Sequence, residues 1–118
     1  MDRNIINPWT WQDQFGFVQA NHISGAEETI LCAGQTSVDG DGNPVHAGDM
    51  TAQAIQAVDN LETVLAEAGF SLSDVVRLNY YVTDIDAFFA AAETLGARLG
   101  QAGCRPASTL LGVASLAF

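Results

Sequence analysis

The side chains best suited to chemistry lie at one corner of the chain, around Pro106. Arg105 precedes this proline, and Ser108 and Thr109 follow it at the start of a short apolar run. Pro106 cannot continue a helix because it lacks an N–H and clashes with the preceding turn, and it pushes Arg105 toward extended geometry. The apolar run predicts a buried strand that begins at this polar corner. The guanidinium of Arg105 could bind a carboxylate in two parallel hydrogen bonds. The equal alternative is that Arg105 faces solvent and pairs with surplus acids.

The charge of the chain limits the partners that it can have. Its 118 residues predict a single domain, residues 1–118, with 48% hydrophobic residues, and the formal net charge is −10. All four cations are arginines, which excludes a Schiff-base lysine or a P-loop lysine. A nucleic-acid-binding protein needs a basic patch to displace counterions, so we expect no nucleic-acid partner.

The cysteines and histidines do not form a recognisable site. Cys32 and Cys104 are far apart in sequence, which favours two buried thiols over a disulfide. His22 and His46 lack ligand spacing, so we expect no metal and no cofactor. The chain has no apolar run of about 20 residues and no basic start followed by an apolar segment. We therefore expect a cytoplasmic protein with no membrane partner.

Two amphipathic helices are predicted from capping residues and apolar spacing. The first runs over 49–68, with Asp49 as N-cap and Gly69 just after its end. The second begins at Asp84 or Asp86 and ends near Gln101. Apolar residues recur at intervals of three and four in the first helix, which predicts one buried stripe. That stripe consists of Ala54, Val58, Leu61, Leu65 and Ala68.

Four strands are predicted around these helices, at about 14–23, 29–35, 75–82 and 108–115, after an irregular segment over 1–13. The strand over 29–35 is apolar on both faces, and a strand, helix, strand sequence favours a parallel pair. The predicted fold is α+β, a mixed sheet with two helices packed on one face. Because the other face lacks a cover, we expect a second copy of the chain to cover it.

The order of these elements resembles the RidA/YjgF family from about Phe15 to Phe118. Each mark is weak alone, but together, in order and at family spacing, they are specific. The marks are Ala33-Gly34-Gln35, Gly48-Asp49, Gln53 and Asn60 on the first helix, Ala68-Gly69, Val75-Val76-Arg77, Tyr81-Val82-Thr83-Asp84 and Arg105-Pro106-Ala107-Ser108-Thr109.

The resemblance implies a chorismate-mutase-like fold and a homotrimer with a pocket for a small-molecule ligand at each subunit interface. It also implies hydrolysis of reactive enamine or imine intermediates to 2-oxo acids and ammonia. In the family the essential arginine comes two residues after the proline, where this chain has Ser108. Arg105 is then the candidate catalytic residue, three residues earlier.

The resemblance also implies the other members of the pocket. Phe17 stands where the family has a tyrosine, Ala33 where it has a serine, and Ala92 where it has an asparagine. Leu110 replaces a small polar residue. The expected substrate pocket therefore consists of Phe17, Ala33, Gly34, Ala92, Ser108, Thr109 and Leu110.

Two functions follow from this pattern. One is a hydrolase of an imine or related small substrate, and the other is a trimer that binds a small, largely apolar metabolite without turnover. The ribonuclease activity sometimes attached to the family is disfavoured by the net charge of −10.

The uncovered sheet face predicts an oligomer in solution. We expect light scattering at micromolar concentration to give a mass several times that of the 12.5 kDa chain, because exposed apolar strands are stabilised when copies cover them. A monomeric mass under those conditions would contradict this prediction.

Overall fold

The computed structural model describes residues 1–117 and combines two helices with small sheets. This arrangement confirms the predicted α+β class. No helix within the described residues is long and apolar enough to cross a membrane. In chain order the elements are β1 (Asp2–Ile6), a 3₁₀ turn (Trp11–Phe15), β2 (Ala20–Ser24), α1 (Met50–Glu67), a 3₁₀ turn (Leu72–Asp74), β3 (Arg77–Val82), α2 (Ile85–Gln101) and β4 (Ala107–Gly112).

Both helices begin at the residues that the sequence indicates. The Asp49 carboxylate accepts from the Ala52 N–H at the start of α1, and the Asp84 carboxylate accepts from the Ala87 N–H at the start of α2. Each contact satisfies a backbone donor that the first turn leaves free. Gly69 follows α1 with φ at 82°, a left-handed conformation that favours glycine.

The central sheet is the parallel pair β3–β4, joined by α2. Arg77 lies opposite Ala107 and Val82 opposite Gly112. A parallel pair needs a crossover connection, and α2 supplies it. The sequence predicted such a crossover through the first helix; the structure has it through the second.

One face of this pair packs under both helices. Side chains alternate between the two faces of a strand, so Leu78 and Tyr80 point toward the helices while Arg77 and Asn79 point away. Arg98 of α2 also bridges to α1, with its guanidinium 3.0 Å from carboxylate oxygens of two residues of that helix. The buried core consists of Val58, Leu61, Leu65, Leu72, Val82, Phe88, Leu95, Leu99 and Cys104.

The N-terminal segment was predicted to be irregular over 1–13, and this is wrong. β1 pairs antiparallel with β2 from Asp2–Ser24 to Ile6–Ala20. The predicted strand over 14–23 is correspondingly divided into the end of a 3₁₀ turn, an isolated parallel bridge between Val18 and Ala107, and most of β2. Alternation over so short a run does not reveal which segment will supply the pairing partner.

The predicted strand over 29–35 is absent from the structure. This segment has no regular secondary structure, and the Leu31 side chain is 92% exposed. β2 takes β1 as its partner, which leaves residues 29–35 without a neighbouring strand in the described chain. A strand requires such a neighbour because its backbone N–H and C=O groups must be paired.

Cys104 lies in the core, 2% exposed, and burial raises the pKa of its thiol to about 11. Cys32 is exposed. The Cys32→Ser variant therefore isolates the buried thiol for measurement. At pH 8 we expect Cys104 in the native variant to react with Ellman's reagent at least about a hundredfold more slowly than in guanidinium, because only the thiolate attacks.

The pH dependence provides a second readout. A thiol whose pKa rises on folding favours the native state below the ordinary value of 9.0 and loses that contribution as the pH rises to about 11. Because the pKa of the folded thiol is about 11, the fraction of reactive thiolate keeps rising above pH 9, and the reaction rate of the native protein should rise with it. A rate that levels off near pH 9 in the folded protein would show that Cys104 is not shielded.

Candidate functional site

The corner between α2 and β4 fixes Arg105 between two buried residues. Gly103, with φ at 70°, ends the helix, and the Cys104 N–H bonds to the Leu99 carbonyl at 2.9 Å. Cys104 and Pro106 are buried, whereas the Arg105 side chain is exposed. The side chain of Arg105, the candidate catalytic residue, is thus exposed, while the buried neighbours Cys104 and Pro106 fix its backbone.

Arg3 holds this corner from the other end of the chain. Its guanidinium donates to the carbonyls of Arg105 at 2.7 Å, Ser73 at 2.9 Å and Val75 at 3.2 Å, and to the Asn21 side-chain oxygen at 3.0 Å. The amide of Asn21 in turn donates to the Arg105 carbonyl at 3.2 Å. The planar guanidinium of Arg3 therefore joins the β1–β2 hairpin to the segments that precede β3 and β4.

The entrance of β4 is fixed by two further backbone bonds. The Ala107 N–H donates to the Val76 carbonyl and the Val18 N–H donates to the Pro106 carbonyl, each at 3.0 Å. Phe17 therefore lies beside this entrance, and its ring meets the Trp11 ring edge to face at 6.1 Å. Trp11 is therefore a second aromatic residue beside the start of β4, and the sequence pattern did not indicate it.

Three predicted pocket residues lie on β4, but they do not share a face. Ser108 and Leu110 pair with Leu78 and Tyr80, the β3 residues on the helix side. The Ser108 hydroxyl is shielded from solvent and has no hydrogen-bond partner within residues 1–117. Thr109 lies on the opposite, open face. The position that carries the arginine in the resembled family is therefore occupied by a short side chain turned toward the helices.

The remaining predicted pocket residues lie elsewhere. Ala33 and Gly34 belong to the exposed segment between β2 and α1, which Asn60 ties to α1 by donating to the carbonyls of Thr36 and Val38. Ala92 is half-buried on α2. The structure brings Phe17 close to the start of β4. Because the predicted pocket lies between subunits, its full set of residues stays a prediction.

Arg77 was missed as a functional candidate. Its guanidinium donates to the Thr109 hydroxyl across the parallel pair, on the open face of the sheet. The alternation of polar Arg77 and Asn79 with apolar Leu78 and Tyr80 was a signal available in the sequence. Arg3 offered no such signal because its contacts join segments about 70 and 102 residues apart.

Burial also suppresses ionisation next to the corner. Tyr80 lies under the helices, where desolvation raises the pKa of its phenol well above the usual value, with a further contribution from Cys104. The phenol and the Cys104 thiol therefore remain neutral at physiological pH. Neither supplies charge to the candidate site.

The family model described as Endoribonuclease L-PSP matches residues 14–118 of the chain. The chain belongs to this family, RidA/YjgF. A RutC family protein of Pyrococcus abyssi is 31% identical over 87 residues, which is 74% of this chain and 67% of that protein. Protein DfrA of Myxococcus xanthus is 32% identical over 100 residues, 85% of this chain and 74% of its own.

Solved structures confirm the RidA/YjgF fold. The crystal structure of YyfB from Yersinia pestis, a Rid family protein of unknown function, matches with a TM-score of 0.84 at 36% identity, over 100% of this chain and 90% of that chain. Yeast Mmf1 matches with a TM-score of 0.68 at 27% identity, over 96% of this chain and 82% of its own.

Arg3 should be required for the geometry of the corner. We expect Arg3→Ala to lower the free energy of unfolding by about 1–3 kcal/mol, because it removes the charged donor of three backbone carbonyls and of the Asn21 side-chain oxygen. Hydrogen exchange at the Val18 and Ala107 amides, which bond next to the corner, should become faster. Denaturant unfolding and exchange monitored by NMR measure these two effects.

Arg3→Lys is the matched control because an ammonium keeps the charge but cannot fork to several acceptors. We expect Arg3→Lys to lower the free energy of unfolding by most of the amount that Arg3→Ala does. If Arg3→Ala unfolds like the unmodified protein and leaves both amides protected, the role assigned to Arg3 is wrong.

Proposed function

We propose that this RidA/YjgF protein is a homotrimer that takes a small metabolite into pockets between its subunits and hydrolyses an enamine or imine there. The observation that carries the proposal is the corner at Arg105: an exposed guanidinium on a backbone fixed by Arg3 and Asn21. The fixed backbone sets where this side chain begins, and a guanidinium binds a carboxylate in two parallel hydrogen bonds.

The proposed reaction needs few groups. The carboxylate of a 2-imino acid binds to Arg105, and water adds across the C=N bond, its oxygen to the carbon and one proton to the nitrogen. The resulting carbinolamine passes its hydroxyl proton to the nitrogen and expels ammonia as the C–N bond breaks, which leaves the 2-oxo acid. Electrostatic positioning of the substrate is the contribution that Arg105 makes.

Exposed apolar side chains on the open sheet face support the assembly. Tyr81 is 52% exposed and Leu111, which is paired with it, is 47% exposed. Contiguous apolar surface of this kind is typical of protein interfaces. The trimeric number comes from the family resemblance, and the pockets would form where the edge of one sheet meets the next subunit.

A second function has an observation of its own. Ser108 replaces the family arginine and turns its hydroxyl toward the helices, and Phe17 and Trp11 make the entrance of β4 aromatic. These features favour a trimer that binds a small apolar metabolite without turning it over. The acidic chain, at −10, disfavours cleavage of RNA.

An assay on a transient imine tests the proposal. A pyridoxal-phosphate dehydratase generates 2-iminobutanoate from threonine, and the decay of the imine is followed with and without this protein. We expect faster decay that Arg105→Ala abolishes, because the substrate carboxylate loses its partner. Arg105→Lys should retain part of the rate, since it keeps the charge.

Light scattering on the same samples measures whether each variant is assembled. If the folded trimer does not accelerate the decay, the hydrolase proposal is wrong for this substrate. Thermal shifts with a metabolite panel, without product by mass spectrometry, would then support the binding function. Acceleration that survives in Arg105→Ala would remove Arg105 from the site.

A further inference from the structure

We propose that Trp11 and Phe17 hold an aromatic side chain of the substrate while Arg105 binds its carboxylate, so that the preferred substrate is a 2-imino acid with an aromatic side chain. This inference rests on the proposed function and names the substrate class for the same corner. It is carried by the position of Phe17 beside Arg105, by the geometry of the two rings and by the buried residue that fixes Trp11.

A parallel bridge between Val18 and Ala107 brings Phe17 next to Arg105. The Val18 N–H donates to the Pro106 carbonyl at 3.0 Å. Because neighbouring strands lie about 4.8 Å apart and each residue rises by about 3.3 Å, the backbones of Phe17 and Arg105 are about 6 Å apart. The Arg105 side chain is exposed. It is long enough to bind the carboxylate of a small molecule whose apolar end contacts Phe17.

The rings of Trp11 and Phe17 form an open angle beside this corner. Their centroids are 6.1 Å apart, and their planes are inclined by 76°. The Trp11 side chain is 55% exposed, whereas Phe17 is half-buried. Aromatic groups prefer edge-to-face and offset-stacked contacts, so a third ring can stack on one of these surfaces and meet the other with its edge. An ethyl group such as that of 2-iminobutanoate makes much less of this contact.

Trp11 is held by the buried residue that follows it in the 3₁₀ turn. Gln12 is 0% exposed, and its side-chain oxygen accepts from the Gln19 amide at 3.3 Å. The Gln12 amide donates to the Asp13 carboxylate at 3.4 Å, which occupies the acidic residue of the turn. The backbone that carries the Trp11 ring is therefore anchored in the interior, although the ring itself is exposed.

The corner is separate from the sheet surface proposed to contact another copy of the chain. That contact involves Tyr81 and Leu111, and Leu111 lies about 13 Å along β4 from Ala107 at about 3.3 Å per residue. Val18 bridges Ala107 at the edge of β4 away from β3, and a sheet edge is where the proposed pockets would form. A ligand at the corner is therefore compatible with a neighbouring subunit at Tyr81 and Leu111.

The decay of two imines compares the substrate classes. An L-amino acid oxidase, with catalase to remove peroxide, generates 2-imino-3-phenylpropanoate from phenylalanine and 2-iminobutanoate from 2-aminobutanoate. We expect kcat/KM for the aromatic imine to be at least about tenfold higher, because burial of the ring adds to binding of the carboxylate. Trp11→Ala should lower the aromatic value about tenfold and change that of 2-iminobutanoate by less than about twofold.

Two variants control for the loss of a tryptophan. Trp11→Phe keeps an aromatic ring and should retain part of the preference. Trp9→Ala removes a side chain that is 58% exposed, and it should leave both rates unchanged because the described ring partner of Phe17 is Trp11. Circular dichroism should show both alanine variants folded. Rates that fall equally for the two imines in Trp11→Ala, or a preference that is lost in Trp9→Ala instead, would overturn the inference.

Tryptophan fluorescence tests the ligand class without turnover. The chain has two tryptophans, so Trp9→Phe leaves Trp11 as the only reporter. 3-Phenylpropanoate has the same two carbons between ring and carboxylate as the aromatic imine. We expect it to change the Trp11 emission in a saturable way, whereas butanoate should not.

The two experiments separate this inference from the proposed function. If 3-phenylpropanoate changes the Trp11 emission but neither imine decays faster, the aromatic site is supported and the hydrolase proposal is wrong. If 2-iminobutanoate is hydrolysed while 3-phenylpropanoate leaves the emission unchanged, the inference is wrong and the proposed function stands. Absence of both effects overturns both.

Discussion

The structure depends on the burial of one face of β3 and β4 beneath the two helices. Leu78, Tyr80 and Leu110 pack against the helical core. Removal of apolar surface from water is the main favourable contribution to the free energy of folding. Because side chains alternate along a strand, the same packing places Arg77 and Thr109 on the opposite face. The requirements of the core therefore decide which polar groups lie on the open face of the sheet.

The Arg3 contacts make the N-terminal hairpin part of the candidate site. The backbone carbonyls of Ser73, Val75 and Arg105 precede β3 and β4 and take no part in the strand ladder. Arg3 satisfies all three with a single side chain. The corner that carries Arg105 is consequently supported by residues from both ends of the chain.

The candidate site was predictable in part. Pro106 and its neighbours correctly indicated a strand entered from a polar corner, and the structure has β4 at Ala107–Gly112. The grouping of Ala33, Gly34 and Ala92 with that corner came from the family resemblance, and it stays a prediction because the pocket is expected between subunits. The orientation of Ser108 toward the helices required the β3–β4 register, which pattern alone does not supply.

By itself the sequence determined the helices, the α+β class and the family. Helix caps such as Asp49 and Asp84 act within one turn, and apolar stripes repeat over a few residues, so both are visible locally. Only the tertiary structure decided that Asp2–Ile6 is a strand, that 29–35 is not, and that Arg3 reaches a carbonyl 102 residues away. Strand pairing and long-range hydrogen bonds depend on which distant segments meet, and local residue patterns do not specify those partners.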